Sequence, residues 1–257
     1  MPRRDLRVTK GHALYLDDAL IPVEFLINHR SIVWDDHAQD TVIYHIELSR
    51  HDVLLVNGAP AESYRDDGNR WLFHNVSNGG VLPPPEPYAT VLTGGPIVDT
   101  VWRRLLDRAG PRPGVTLTDE PDVHLLVNGR RIDAMTQTKG VHVFRLPARP
   151  HEVRIVSRAG VPVELGTNRD QRPLGIALRS VSVRRGTRRR TMEACDARLS
   201  RGFHMFEPSN AFRWTDGDAQ LPATLFDWVD GACELVLQVG CTTQYPLFRD
   251  ACSKVAA

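Results

Sequence analysis

The chain has 257 residues, 42% hydrophobic and 25% charged, with a formal net charge of +1. That length buries a substantial core in one or two domains, and a charge so close to zero gives no one-signed field pointing to nucleic acid or a membrane surface. No apolar run approaches the ~20 residues of a membrane helix, and no apolar stretch follows the basic start Met1-Pro2-Arg3-Arg4, so no secretory signal is expected and the compartment is cytoplasmic by default.

In chain order the first signals are short strands and turns. Ala13-Leu14-Tyr15-Leu16 is an apolar run closed by the turn pair Asp17-Asp18; residues 20–26 resume it, with Pro22 marking an edge or bend. Residues 41–48 are rich in β-formers, and Val42, Tyr44, Ile46 and Leu48 on alternate positions predict a strand with one apolar face. Residues 52–56 predict another, ending at the hairpin signal Asn57-Gly58. Residues 75–96, with Asn78-Gly79-Gly80 and Pro83-Pro84-Pro85, read as a linker. Pro96 at a first turn and the stripe Ile97, Val98, Val101, Leu105 and Leu106 then predict a helix, stopped by Gly110-Pro111. Arg103, Arg104 and Arg108 lie near its C-terminal end, where they suit the dipole.

From Val115 the pattern is β again. Residues 123–127 lead into the hairpin pair Asn128-Gly129, and further strands are expected at 141–146, 153–156, 174–183 and 233–239, the last cleanly alternating. Short strands punctuated by Gly and Pro predict a β-sandwich. The basic run from Arg184 to Arg190 reads as a hairpin tip turning at Gly186, with a phosphate or glycan grip as its rival. Phe203, His204, Phe206, Phe212, Trp214 and Asp216-Gly217-Asp218 read as core aromatics and a turn, with a sugar-stacking or calcium loop as the rival. Cys195, Cys233, Cys241 and Cys252 form no metal-ligand spacing, so no zinc site and no cofactor is expected; a Cys233–Cys241 disulfide stays open.

One ordered series of residues carries more. Val8-Thr9-Lys10-Gly11-His12-Ala13-Leu14, Leu20-Ile21-Pro22-Val23, Tyr44-His45-Ile46-Glu47-Leu48, His51-Asp52-Val53-Leu54-Leu55, Gly58-Ala59-Pro60-Ala61-Glu62-Ser63-Tyr64 and Gly68-Asn69-Arg70 together resemble the C-terminal half of the Hint (Hedgehog/intein-type) domain, in its bacterial form. The rest of the chain resembles the β-rich region that follows such domains. The resemblance implies a mainly β fold: a partial Hint-type β fold over residues 1–75, a Pro/Gly-rich linker with one connecting helix over 76–114, and a β-sandwich-like domain over 115–257.

The resemblance also implies a chemistry. A Hint domain turns a peptide bond into a thioester or ester by attack of a Cys or Ser side chain on the preceding carbonyl. The Thr and His of T-x-x-H contact that amide, and they match Thr9 and His12. An imidazole suits the role because it titrates near neutrality and donates a proton to the departing nitrogen. His51 and Asp52 match a late histidine block; orienting a group at the scissile bond competes with a local backbone role for Asp52.

The nucleophile belongs upstream of Thr9, yet no Cys precedes Cys195 and no Ser precedes Ser31. No His-Asn pair ends the motif, so splicing is not expected, only N-terminal cleavage. As it stands the chain is therefore expected not to act as an enzyme. Its expected partners are a complementary N-terminal Hint half and a glycan or protein ligand of the sandwich, with no nucleic acid and no membrane. The alternatives are a carbohydrate- or surface-binding sandwich that keeps the Hint remnant as scaffold, and a split self-processing enzyme completed in trans.

Overall fold

The computed structural model describes residues 2–37, 42–74, 86–110 and 114–247. The chain divides into two compact units, Met1–Pro111 and Arg112–Ala257.

The first unit is built on two hairpins. β1 (Ala13–Leu16) pairs with β2 (Ala19–Pro22), and β3 (Val53–Val56) pairs with β4 (Ala59–Glu62); β1 and β4 join at Leu14 opposite Ala61, giving the antiparallel order β2-β1-β4-β3. Both expected turns form: Asp17-Asp18 at φ 50° and 59°, and Asn57-Gly58 at φ 51° and 86°. Two successive left-handed residues match the twist of the flanking strands, and Asn, Asp and Gly reach that region at least cost.

The helix α1 (Pro96–Ala109) begins with its proline in the first turn and ends at Gly110. Its buried residues are Val98, Val101, Trp102, Leu105 and Leu106, which include all of the expected stripe but Ile97. The helix packs on Ala19, Ile21 and Leu26, so residues expected to connect two domains supply Val98, Val101 and Leu105 to a core cluster of the first unit. Trp102 is fully buried and donates its indole N–H to the Ile27 carbonyl at 2.7 Å. Asn28, next in line, is fully buried too; its side-chain oxygen accepts the backbone N–H groups of Arg30, Ser31 and Ile32.

The strand expected at 41–48 does not form over the described residues 42–48. Thr41 lies outside the described residues. Burial does not follow the alternation: Val42, Ile43, Tyr44, Ile46, Glu47 and Leu48 are exposed, Tyr44 at 85%, and His45 alone of residues 42–48 is half-buried. Inward, the segment is held by polar and aromatic contacts. Glu47 pairs with Arg70, the Ile46 carbonyl accepts the Tyr64 N–H at 2.7 Å, and His45 packs on Tyr64 and Phe73. Side-chain contacts decide its path, and no backbone ladder forms beside it.

The second unit is a sandwich. Its strands are β5 (Thr116–Thr118), β6 (His124–Val127), β7 (Arg130–Asp133), β8 (Thr136–Thr138), β9 (Val141–Leu146), β10 (Val153–Val156), β11 (Ala177–Arg185), β12 (Arg188–Glu193), β13 (Phe203–Glu207), β14 (Phe212–Thr215), β15 (Asp218–Gln220), β16 (Cys233–Cys241) and β17 (Tyr245–Leu247). One sheet runs β15-β10-β6-β7; the other runs β13-β14-β11-β16-β9-β8, with β12 also on β11. Leu125, Val127 and Ile155 from the first sheet share one core with Phe144, Leu178, Val181, Leu235 and Leu237 from the second. Two inner faces over one apolar layer are what the alternating strands require. β5 and β17 form a separate two-stranded pair.

The expected β6–β7 turn forms at Asn128-Gly129, and Gly186 turns the β11–β12 hairpin at φ 57°. Cys233 and Cys241 stand at opposite ends of β16, about 26 Å apart at strand rise. They are free thiols, as is Cys195, and burial pushes the thiols of Cys233 and Cys241 up. Cys252 lies outside the described residues.

Trp102 tests the anchoring of the first unit. Trp102→Phe keeps most of the packing but leaves the buried Ile27 carbonyl without its donor, and denaturant unfolding is expected to show a loss of about 1–3 kcal/mol. Trp102→Ala is expected to cost more, about 3–5 kcal/mol, because a cavity is added. Equal stability of Trp102→Phe and the parent chain would remove the indole bond from the account.

Candidate functional site

Thr9-Lys10-Gly11-His12 folds into a turn in which the His12 N–H donates to the Thr9 carbonyl at 3.1 Å, so the two matched residues share one short loop. This loop is fastened on one side to the residues after β2. The Val23 N–H donates to the His12 carbonyl and the Glu24 N–H to the Lys10 carbonyl, both at 3.0 Å. On its other side the first residue of β1 is fastened to β4. The Ala13 N–H donates to Glu62 Oε1 at 2.6 Å. Antiparallel register from Leu14 opposite Ala61 sets Ala13 opposite Glu62, so a carboxylate takes the donor that a ladder carbonyl would otherwise serve.

The His12 ring is partly buried, and no protein hydrogen bond to it is present among the described residues. Burial holds it below the usual imidazole range; the Glu62 carboxylate opposes that effect, and the His45 ring adds to it. His45 lies with its centroid 6.2 Å from that of His12, and itself packs edge-on to Phe73 at 4.9 Å and Tyr64 at 5.4 Å. Tyr64 in turn donates its hydroxyl to Asn69 at 2.7 Å and lies under the Arg70 guanidinium, 5.4 Å from its ring centre. Arg70 pairs with both Glu47 and Asp66 and lowers both carboxyls.

Of the neighbouring His51 and Asp52, only the histidine turns inward. The His51 side chain is fully buried, with Nε2 3.4 Å from Glu62 Oε2. Its Nδ1 accepts the Tyr88 N–H at 2.9 Å, so the neutral ring carries its proton on Nε2, the nitrogen facing Glu62. That nitrogen has no well-aligned hydrogen-bond partner among the described residues. Asp52 is exposed; its carboxylate accepts the Val53 N–H at 2.7 Å and its own N–H donates to Ser63 Oγ at 3.0 Å. The structure thus gathers His12, His45, His51 and Glu62, places Thr9 on the same turn, and leaves Asp52 to local backbone.

Sequence reasoning named neither Glu62 nor His45 as site residues. The signal for His45 was a histidine on the non-apolar side of an alternating segment. For Glu62 it was an acid closing a strand of small residues, Ala59-Pro60-Ala61. Among the described residues no group of three or more His, Cys, Asp or Glu could hold a metal ion. No described helix is long and apolar enough to cross a membrane.

In the second unit the basic run is engaged within its own unit. Arg184 pairs with Glu234 and Arg185 with Asp230, while Arg188 and Arg190 lie over the Trp228 ring at 5.1 and 6.0 Å. Trp214 is buried with Leu174 and Ala177, and Asp216 and Asp218 serve a turn and an ion pair with Arg154. These residues have the surroundings of structural groups.

Residues 1–68 match the family model described as Hint domain. No curated protein and no solved structure matches the chain.

The lowered His12 sets a sign for pH dependence. The unfolded chain binds a proton near the ordinary imidazole value of 6.5 that the folded chain refuses until lower pH. The stabilisation is therefore present above that value and is lost as pH falls through the window below it. The buried His142 of the second unit, lowered by desolvation, follows the same sign. Unfolding titrations at about pH 7.5 and pH 5 are expected to show a smaller acid loss in His12→Gln than in the parent. An identical pH dependence would contradict the assignment.

Proposed function

The chain is a Hint domain-containing protein, and from that premise we propose that its first unit is the amide-activating half of a self-processing module that works by an N–S acyl shift. The observation that carries this reading is the Thr9–His12 turn, fixed from two sides, with no hydrogen bond to its imidazole present among the described residues.

In the proposed reaction a cysteine thiolate on a complementary Hint segment attacks the carbonyl carbon of the residue before it. The C–N bond breaks, a C–S bond forms, and the departing nitrogen takes a proton from His12 while the thiol proton leaves to solvent. Thr9 holds the scissile amide against the turn. A ring held below the usual imidazole range is the stronger acid, which suits proton transfer to an amide nitrogen. His51 acts from behind Glu62 and does not touch the amide. Residues 1–12 hold no cysteine or serine, and this sequence taken alone is expected to stay intact with thiols or hydroxylamine.

The test supplies that segment in trans, with a leading cysteine and a short N-terminal flank, and follows hydroxylamine-trapped release of the flank beside a binding titration. His12→Ala is expected to slow release by roughly two to four orders of magnitude while leaving docking nearly unchanged. Equal release by both proteins would remove His12 from the mechanism. Docking without release by either would overturn the reading of an active half. Nucleophile-dependent cleavage of the chain alone would contradict the need for a second segment.

A further inference from the structure

We infer that Glu62 is the positioning residue of this site: one carboxylate oxygen holds the main chain beside His12 while the other faces the buried His51 ring, so that one negative charge serves both histidines. The inference rests on the reading of His12 as the amide-contacting group and adds to it the group that sets its place and its charge.

Three observations carry it. Glu62 Oε1 accepts the Ala13 N–H at 2.6 Å, one residue from His12. Glu62 Oε2 stands 3.4 Å from Nε2 of a histidine whose side chain is fully buried, and the Tyr88 N–H on Nδ1 sets the Nε2–H tautomer of the neutral ring. The Glu62 side chain itself is only 16% exposed. A carboxylate so enclosed is unfavourable unless its oxygens are served. Here one is served by a backbone donor and the other looks onto an imidazole N–H that has no other protein acceptor among the described residues.

The titratable groups that act on the His12 ring are Glu62 from β4, whose Oε1 is bound to the next residue's N–H, and His45 from the 42–48 segment; His51 stands against the other oxygen of the carboxylate. Burial and His45 favour the neutral ring, and Glu62 is the group that favours the charged one. In the proposed reaction His12 must hold a proton and then lose it. A nearby carboxylate lets a partly buried imidazole be protonated at all, and the Ala13 N–H holds that carboxylate in place. Glu62 does not touch the amide; it acts through His12.

The test is an NMR titration of the full chain that needs no cleavage, so its failure and failure of the acyl-shift reading are separate results. Glu62→Gln keeps an acceptor for the Ala13 N–H but removes the charge. The midpoint of the His12 ring resonances is expected to move to lower pH in Glu62→Gln, with the Ala13 amide little changed. In the parent chain the Ala13 amide proton and the Glu62 carboxyl carbon are expected to move together in acid, with one midpoint, and this covariation decides the matter if the variant does not fold. An unchanged His12 midpoint in a folded Glu62→Gln would overturn the inference. So would an Ala13 amide indifferent to protonation of Glu62.

Discussion

The hydrogen bond from the Ala13 N–H to the Glu62 carboxylate is the constraint on which the first unit's chemistry depends. β1 and β4 meet in register only at Leu14 and Ala61. On that side the carboxylate holds the next residue, Ala13, while on the other side β1 stays in register with β2 through Ala13 opposite Pro22. The other side of the turn is held by Val23 and Glu24. His12 therefore projects from a loop whose backbone is fixed at both flanks, and the proposed delivery of a proton to a particular nitrogen needs that fixation. The other oxygen of the same carboxylate stands 3.4 Å from Nε2 of the buried His51.

A second constraint lies deeper. The helix α1 closes the core over β1 and β2, and its Trp102 reaches the carbonyl of Ile27 just before the Asn28 loop. That loop leads away from the hairpin whose first strand begins at Ala13. Packing of the helix thus stabilises the strand pair that presents the site, although α1 contributes none of its chemical groups.

What could be read from the sequence was local. Asp17-Asp18, Asn57-Gly58 and Asn128-Gly129 specify their turns by two adjacent residues, and the alternation of β16 specifies a half-buried strand by itself. The helix was legible from its stripe, but its most buried large side chain, Trp102, was not among the residues that pattern picked out. What could not be read depends on distant partners. The Ala13–Glu62 bond spans 49 residues and the Trp102–Ile27 bond 75. Residues 42–48 show the limit of periodicity: the alternation buries neither face, and the contacts with Arg70, Tyr64 and Phe73 hold the segment instead, with His45 alone half-buried. Thr9 and His12 were reached through resemblance, and only burial separates the inward His51 from the outward Asp52 beside it.

The claim that one carboxylate locks the turn is most directly tested by amide hydrogen exchange at Ala13. In the parent chain this amide is expected to be protected to the degree of the β1–β2 ladder. In Glu62→Ala it is expected to exchange much faster, while the amides of Leu14 and Ile21, opposite each other in the β1–β2 hairpin, keep their protection. An Ala13 amide that exchanges at the same rate in both proteins, with the hairpin intact, would contradict the account.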